Sequence, residues 1–126
     1  LVISMRKTFN KAEKLVNKPK IERLFDRNSK DNQSFLVYPI KSIFNVNAGS
    51  EAKLSFPKVL ISVSSRKFKK AVDRNLIKRR IREAYRQNKK EFESEIDIAF
   101  VYVANQIEDF AVIQKSMLKT LNKITF

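Results

Sequence analysis

Ile96 to Val103 limits the fold more than any other stretch, because seven of its eight residues are apolar and only Asp97 carries a charge. A run this short and this rich in β-branched and aromatic side chains reads as a central strand covered on at least one face. Such a strand needs neighbours and a covering layer, and the rest of the chain supplies both. In Leu54 to Ser64, the side chains of Val59, Ile61 and Val63 fall on one face and those of Leu60, Ser62 and Ser64 on the other, which gives a strand with one greasy and one mixed face. Phe35 to Phe44 is also rich in β-branched and aromatic residues and reads as a strand, with Pro39 marking an edge position or a bulge. Asn45 to Lys53 holds the only Gly and forms a loop or hairpin connection.

The helices are signalled by different features. Asn17 is a plausible N-cap with Pro19 in the first turn, where its missing N–H costs nothing. That places a short helix at about 18 to 27, presenting Ile21, Leu24 and Phe25 on one side. Residues 70 to 92 lack Gly and Pro and carry Leu76, Ile77, Ile81, Ala84 and Tyr85, which suits a long helix. Phe110, Ile113, Met117, Leu118 and Leu121 recur at spacings that close the chain with an amphipathic helix over 109 to 123. The expected architecture is an α/β (α+β) two-layer sandwich of about four strands and three helices, in the order α-β-β-β-α-β-α. A chain of 126 residues suffices for one core and not for two, so residues 1–126 are read as a single domain, with 1–16 as an extended basic arm.

Charge identifies the surface that matters. Lys and Arg number 27 against 13 Asp and Glu, and residues 66 to 90 alone hold 12 basic and two acidic side chains. A field of one sign concentrated on one element attracts polyanions, nucleic acid foremost and an anionic membrane second. With no Cys and no His, thiol nucleophiles, imidazole bases, disulfides and Cys/His zinc sites are excluded, and one Gly cannot build a phosphate-cradling loop. No apolar run approaches the roughly 20 residues needed to cross a bilayer. The expected location is the cytoplasm, with no membrane partner.

On a wheel of about 100° per residue with Arg74 at zero, Lys78, Arg82 and Arg86 lie at about 40°, 80° and 120°, and Asn75 and Arg79 at about 100° and 140°. Ala84, Ile77, Asn88 and Ile81 fall between about 280° and 340°. The helix is thereby sorted into a docking face and a basic arc. Only Asp73 and Glu83 interrupt the positive run, whereas an ordinary solvated helix intersperses Glu with Lys at i and i+4. Arg suits bidentate contact with phosphate oxygens, and Asn75 can bond a base edge or a 2′-hydroxyl. Arg66, Lys67, Lys69 and Lys70 extend the charge upstream.

The string Ile61-Ser-Val-Ser64, then Arg66-Lys67 and Lys70, then Arg74-Asn75-Leu76-Ile77-Lys78-Arg79-Arg80-Ile81-Arg82-Glu83-Ala84-Tyr85-Arg86 resembles the signature of the bacterial ribonuclease P protein family. The resemblance extends to Lys20–Phe25 as first helix, Phe35–Tyr38 as first strand, Ile96–Val103 and the closing helix. Leu76 departs from it, standing where the family has the second Arg of an Arg-Asn-Arg triplet, and Ile21 stands where many relatives have Phe. Leu76 lies near 200°, off the arc, so its lost charge should weaken one RNA contact without rearranging the others.

The resemblance implies a subunit that binds a large catalytic RNA and helps it remove the 5′ leader of precursor tRNA. Magnesium would be held mainly by RNA, and the protein would bind no cofactor and supply no catalytic residue. It implies that Arg74, Asn75, Lys78, Arg79 and Arg82 meet the RNA subunit, with Arg66, Lys67, Lys70 and Arg86 adding phosphate contacts. It further implies a leader-binding cleft with Phe25, Tyr38, Ser62 and Ser64, although Phe25 by its residue type alone is more readily a core residue. Glu91, Glu93, Glu95 and Asp97 read as an acidic patch rather than a metal site, since they straddle a helix end and a strand start. Three rivals stay open on residues alone: a ribosomal or other structured-RNA-binding protein, a major-groove DNA binder, and a protein-only nuclease acting through those carboxylates. Folded RNA, not DNA, is the expected partner.

Overall fold

The computed structural model describes residues 13–26, 32–46, 56–92 and 95–124. Its elements are α1 (Lys18–Leu24), β1 (Gln33–Val37), β2 (Ile40–Val46), β3 (Lys58–Val63), α2 (Ala71–Asn88), β4 (Ile96–Tyr102) and α3 (Phe110–Lys123). The sheet order is β1-β2-β4-β3, so the apolar run is indeed an interior strand. It pairs antiparallel with β2 and parallel with β3. A parallel pair cannot be closed by a tight turn, and α2 provides the crossover.

Alternation along the strands decides what each face buries. Ile96, Ile98, Phe100 and Tyr102 of β4 join Ile40 and Phe44 of β2, and Val59 and Val63 of β3, in the main core. That core is closed by Ile77, Ile81, Ala84 and Tyr85 of α2 and by Ile113, Met117 and Leu121 of α3. The rings of Tyr85 and Phe100 meet at 5.7 Å. Each such side chain contributes about 1.5–3 kcal/mol by leaving water. On the opposite face Leu15, Leu24 and Ala99 are buried together, with Ile21, Ile43 and Leu60 packed against them. The two-layer body is therefore the sheet with α2 and α3, while α1 alone covers part of the other face.

Several sequence expectations shift in detail. Phe35–Phe44 is not one strand but the hairpin β1–β2, with Tyr38 and Pro39 at its tip, joined by a cis peptide bond. Pro39 marks a turn rather than a bulge. The long helix ends at Asn88, and Lys89 is its C-cap. Leu118, expected to face inward, is 49% exposed, and Ser116 and Thr120 take the inward positions. Ser116 is tolerated there because its hydroxyl donates to the Val37 carbonyl at 2.6 Å.

Residues 1–12 of the expected arm, most of the 45–53 connection and Glu93 lie outside the described residues. Closer to the core, Lys14 bridges to Val59, the Leu15 N–H donates to the Val59 carbonyl at 2.9 Å, and Leu15 is buried. Glu13 receives the Lys89 ammonium at 2.8 Å, and the Lys89 side chain is only 3% exposed. This segment is thus tied to the end of α2. No helix among the described residues is long and apolar enough to cross a membrane.

Candidate nucleic-acid interface

The angular sorting of α2 is what positions its charges. Ile77, Ile81 and Ala84 are wholly buried, and Tyr85 with them, so the opposite side must face solvent. Asn75, Arg79 and Arg82 are exposed there, and Arg74, Lys78 and Arg86 are half-buried. Asn88, expected on the docking face, is half-buried and donates to the Ala84 carbonyl at 2.8 Å. Leu76 is half-buried as well. Asp73 occupies the first turn and Arg86 the last, the placement that the helix dipole favours.

The charges divide by what holds them. Arg74 donates from one nitrogen to the carbonyls of Phe68 and Lys69, at 2.8 and 2.9 Å, and so braces the loop entering α2. Phe68 pins that loop from below, its ring 5.8 Å from Tyr102. Ser64 accepts the backbone N–H groups of Arg66 and Lys67, at 3.2 and 3.3 Å, making the turn that presents both side chains. The Lys67 ammonium reaches the Val103 carbonyl at 2.8 Å. Arg86 forms a two-pronged pair with Glu83, at 2.6 and 2.8 Å. The Arg86 and Gln87 hydrogen bonds hold the Glu83 carboxyl down at about 2, and the Glu83 bond raises Arg86 in turn. The positive run is therefore partly compensated. Among the described residues, no side-chain hydrogen bond or ion pair engages Arg66, Lys70, Asn75, Lys78, Arg79 or Arg82. These six are available to a polyanion without breaking any internal bond.

A second concave surface lies on the other face, between the end of α1 and the sheet. It is a cleft of about 480 Å³ lined by Leu24, Phe25, Asp26, Asn32, Ser34, Lys41, Ile43 and Val101. Phe25, at the C-cap of α1, is 43% exposed and so belongs to the cleft rather than to the core. Ser62 is the cross-strand partner of Val101 and so borders the cleft floor. Tyr38, 54% exposed, does not line the cavity; it stands at the hairpin tip, where its hydroxyl donates to Glu108 Oε2 at 2.6 Å. Ser64 is occupied by its turn.

Sequence reasoning missed what holds this cleft open. The Asn32 amide donates to the carbonyls of Arg23 and Leu24, at 2.6 and 3.3 Å, capping the end of α1. Asn45 donates to Asn32 at 2.9 Å and accepts from Arg23 at 2.8 Å, fastening α1 to β2. Both look like ordinary turn residues, and only the hairpin brings them together. Lys41 had a readable signal, as a lone charge within an apolar strand. Among the described residues, no group of three or more carboxylates gathers as a metal site; Asp97 is buried while Glu91 and Glu95 are exposed.

Comparison with known proteins agrees with this geometry. A family model described as Ribonuclease P matches residues 9–125. The chain belongs to the ribonuclease P protein family. It is 33% identical over 122 residues to the ribonuclease P protein component of Porphyromonas gingivalis, covering 91% of this chain and 85% of that one. It is 32% identical over 114 residues to the corresponding protein of Petrotoga mobilis, covering 89% and 86%. The fold matches the RNase P protein of Thermotoga maritima at a TM-score of 0.68 and 22% identity, over 90% of this chain and 99% of that one. It matches the Staphylococcus aureus RNase P protein at 0.65 and 23%, over 90% and 94%. The chain is accordingly the protein component of an endoribonuclease holoenzyme, and its partner is the RNA of ribonuclease P.

Proposed function

We propose that this protein uses its two faces for two RNAs: α2 and the preceding loop dock on the catalytic RNA subunit, and the cleft beside α1 receives the 5′ leader of precursor tRNA. The observation that carries the reading is the sorting of α2, where a buried apolar face fixes an outward arc in which Lys78, Arg79 and Arg82 have no internal side-chain partner among the described residues. On the RNA-subunit side, Arg66, Lys70, Asn75, Lys78, Arg79 and Arg82 meet phosphates and sugars directly. Lys67, Arg74 and Arg86 shape the surface and add charge. On the leader side, Phe25 offers a ring face for stacking an unpaired base, worth about 1 to 3 kcal/mol on single strands, and Lys41 places a cation in the cleft floor. Tyr38 and Ser62 extend this surface past Val101.

The protein supplies no nucleophile or base to the cleavage. Its contribution is to offset phosphate repulsion between two RNAs and to position the leader, and any magnesium the cleavage needs would be held mainly by RNA. The setting is the cytoplasm, where precursor tRNA is made.

Reconstitution tests the proposal. Added to its cognate ribonuclease P RNA at low magnesium, the protein should raise cleavage of precursor tRNA at the mature 5′ end. Absence of stimulation would refute it, and cleavage by the protein alone would favour a protein-only nuclease.

A further inference from the structure

Tyr38 is an unusual leader contact, because nothing in its own hairpin fixes its ring. It sits in the two-residue turn between β1 and β2 and is 54% exposed. An exposed aromatic that rotates freely loses part of its stacking energy to lost rotamer freedom. What fixes it comes from the far end of β4. Glu108 Oε2 accepts the Tyr38 hydroxyl at 2.6 Å and the Gln106 amide at 2.9 Å. Glu108 is itself clamped through its backbone. Its N–H donates to the Tyr102 hydroxyl at 2.9 Å, and its carbonyl accepts from Arg80 at 2.6 Å. Tyr102 in turn donates to the Gln106 carbonyl at 2.6 Å. The hairpin tip is tied to the same loop through the Val103 N–H, which donates to the Pro39 carbonyl at 2.9 Å.

We propose that Glu108 is a positioning residue for leader recognition, holding the Tyr38 side chain in place at the hairpin tip and tying it to the basic helix through Arg80. The inference rests on the reading of the cleft as the leader site. The Tyr38 and Gln106 hydrogen bonds lower the Glu108 pKa, so the carboxylate is the charged acceptor at neutral pH. The same anion keeps leader phosphates off this corner and leaves Tyr38 for a base.

The test uses the reconstituted holoenzyme and measures affinity for precursor tRNA with a leader and for mature tRNA. Glu108→Ala and Tyr38→Phe should each weaken precursor binding about five- to tenfold, the effect of one solvent-exposed hydrogen bond of ordinary strength. Both should leave mature tRNA unchanged. The double variant should be no weaker than either single, and Glu108→Gln, which keeps a carbonyl acceptor, should recover most of the affinity. Unchanged precursor binding by Glu108→Ala, equal loss on both tRNAs, or losses that multiply in the double variant would overturn the proposal. Tyr38→Ala separates it from the parent reading. A leader-dependent loss there with none in Glu108→Ala defeats only the positioning role; no loss in Tyr38→Ala removes Tyr38 from the leader site and the positioning role with it, and only silence of Phe25→Ala as well would overturn the cleft reading.

Discussion

Replacing Arg79 by Ala should change the salt dependence of holoenzyme assembly by an amount the structure lets one calculate. Arg79 is exposed on the arc and has no internal partner among the described residues, so its removal takes away one cation and leaves no buried group stranded. For a duplex-like phosphate contact, the log–log slope of affinity against salt should become shallower by up to about 0.9. Over a roughly fourfold rise in salt, that slope change alters affinity relative to wild type by about 3.5-fold. Adding Arg82→Ala should double the slope change to about 1.8, or about 12-fold over the same range. Lys119→Ala is the control, because it removes the same charge from the exposed side of α3 and should leave the slope unchanged. Equilibrium binding to the RNA subunit at several salt concentrations reads all three. Equal slope changes for Arg79 and Lys119 would mean that net charge, not the arc, drives docking, and an unchanged slope for Arg79 would remove it from the interface.

Other consequences are independent of that one. Ile81→Ala empties a wholly buried position between α2 and the sheet and should cost about 2–5 kcal/mol of stability in chemical denaturation; a loss under about 0.5 kcal/mol would mean the site collapses freely. Phe25→Ala should leave the melting temperature nearly unchanged, since the ring is 43% exposed, while weakening binding of leader-bearing precursor by about 1 to 3 kcal/mol. The opposite pattern would return Phe25 to the core. Glu83 is held at about 2 by Arg86, so its pair contributes fully above the ordinary carboxylate value and is lost as pH falls from there towards about 2. Carboxyl chemical shifts of Glu83 should titrate with that low midpoint, and a midpoint near the ordinary 4.5 would show that the pair does not form in solution.

Much of the fold is legible in the sequence alone, for specific physical reasons. The period of α2 needed no partner to be read, because three fully buried residues, Ile77, Ile81 and Ala84, recur at spacings of four and three. The apolar run of β4 was equally plain, since both its faces are covered. Pro39 misled because a proline in an apolar run is compatible with a bulge, an edge or a turn, and the pairing of Val37 with Ile40 decides for the turn. Leu118 misled for a related reason: its spacing from Leu121 fits the apolar stripe, yet the inward slot is filled by Ser116 through a bond to a residue 79 positions away. The cleft was the least legible part. Asn32, Asn45 and Arg23 form one network only after the hairpin closes, and Glu108 meets Tyr38 across 70 residues. No local pattern encodes such meetings.

The division of labour between two faces is the central claim, and site-directed RNA cleavage tests it most directly. The chain has no Cys, so a single introduced cysteine carries a tethered iron chelate to one place. Ala71→Cys lies on the exposed side of α2 at about 60°, within the basic arc, and Leu36→Cys lies exposed on β1 opposite Lys41 of the cleft. In the holoenzyme–precursor complex, the Ala71 probe should cut the catalytic RNA and spare the leader, and the Leu36 probe should cut the leader. Leader cleavage from Ala71, or catalytic-RNA cleavage alone from Leu36, would contradict the account.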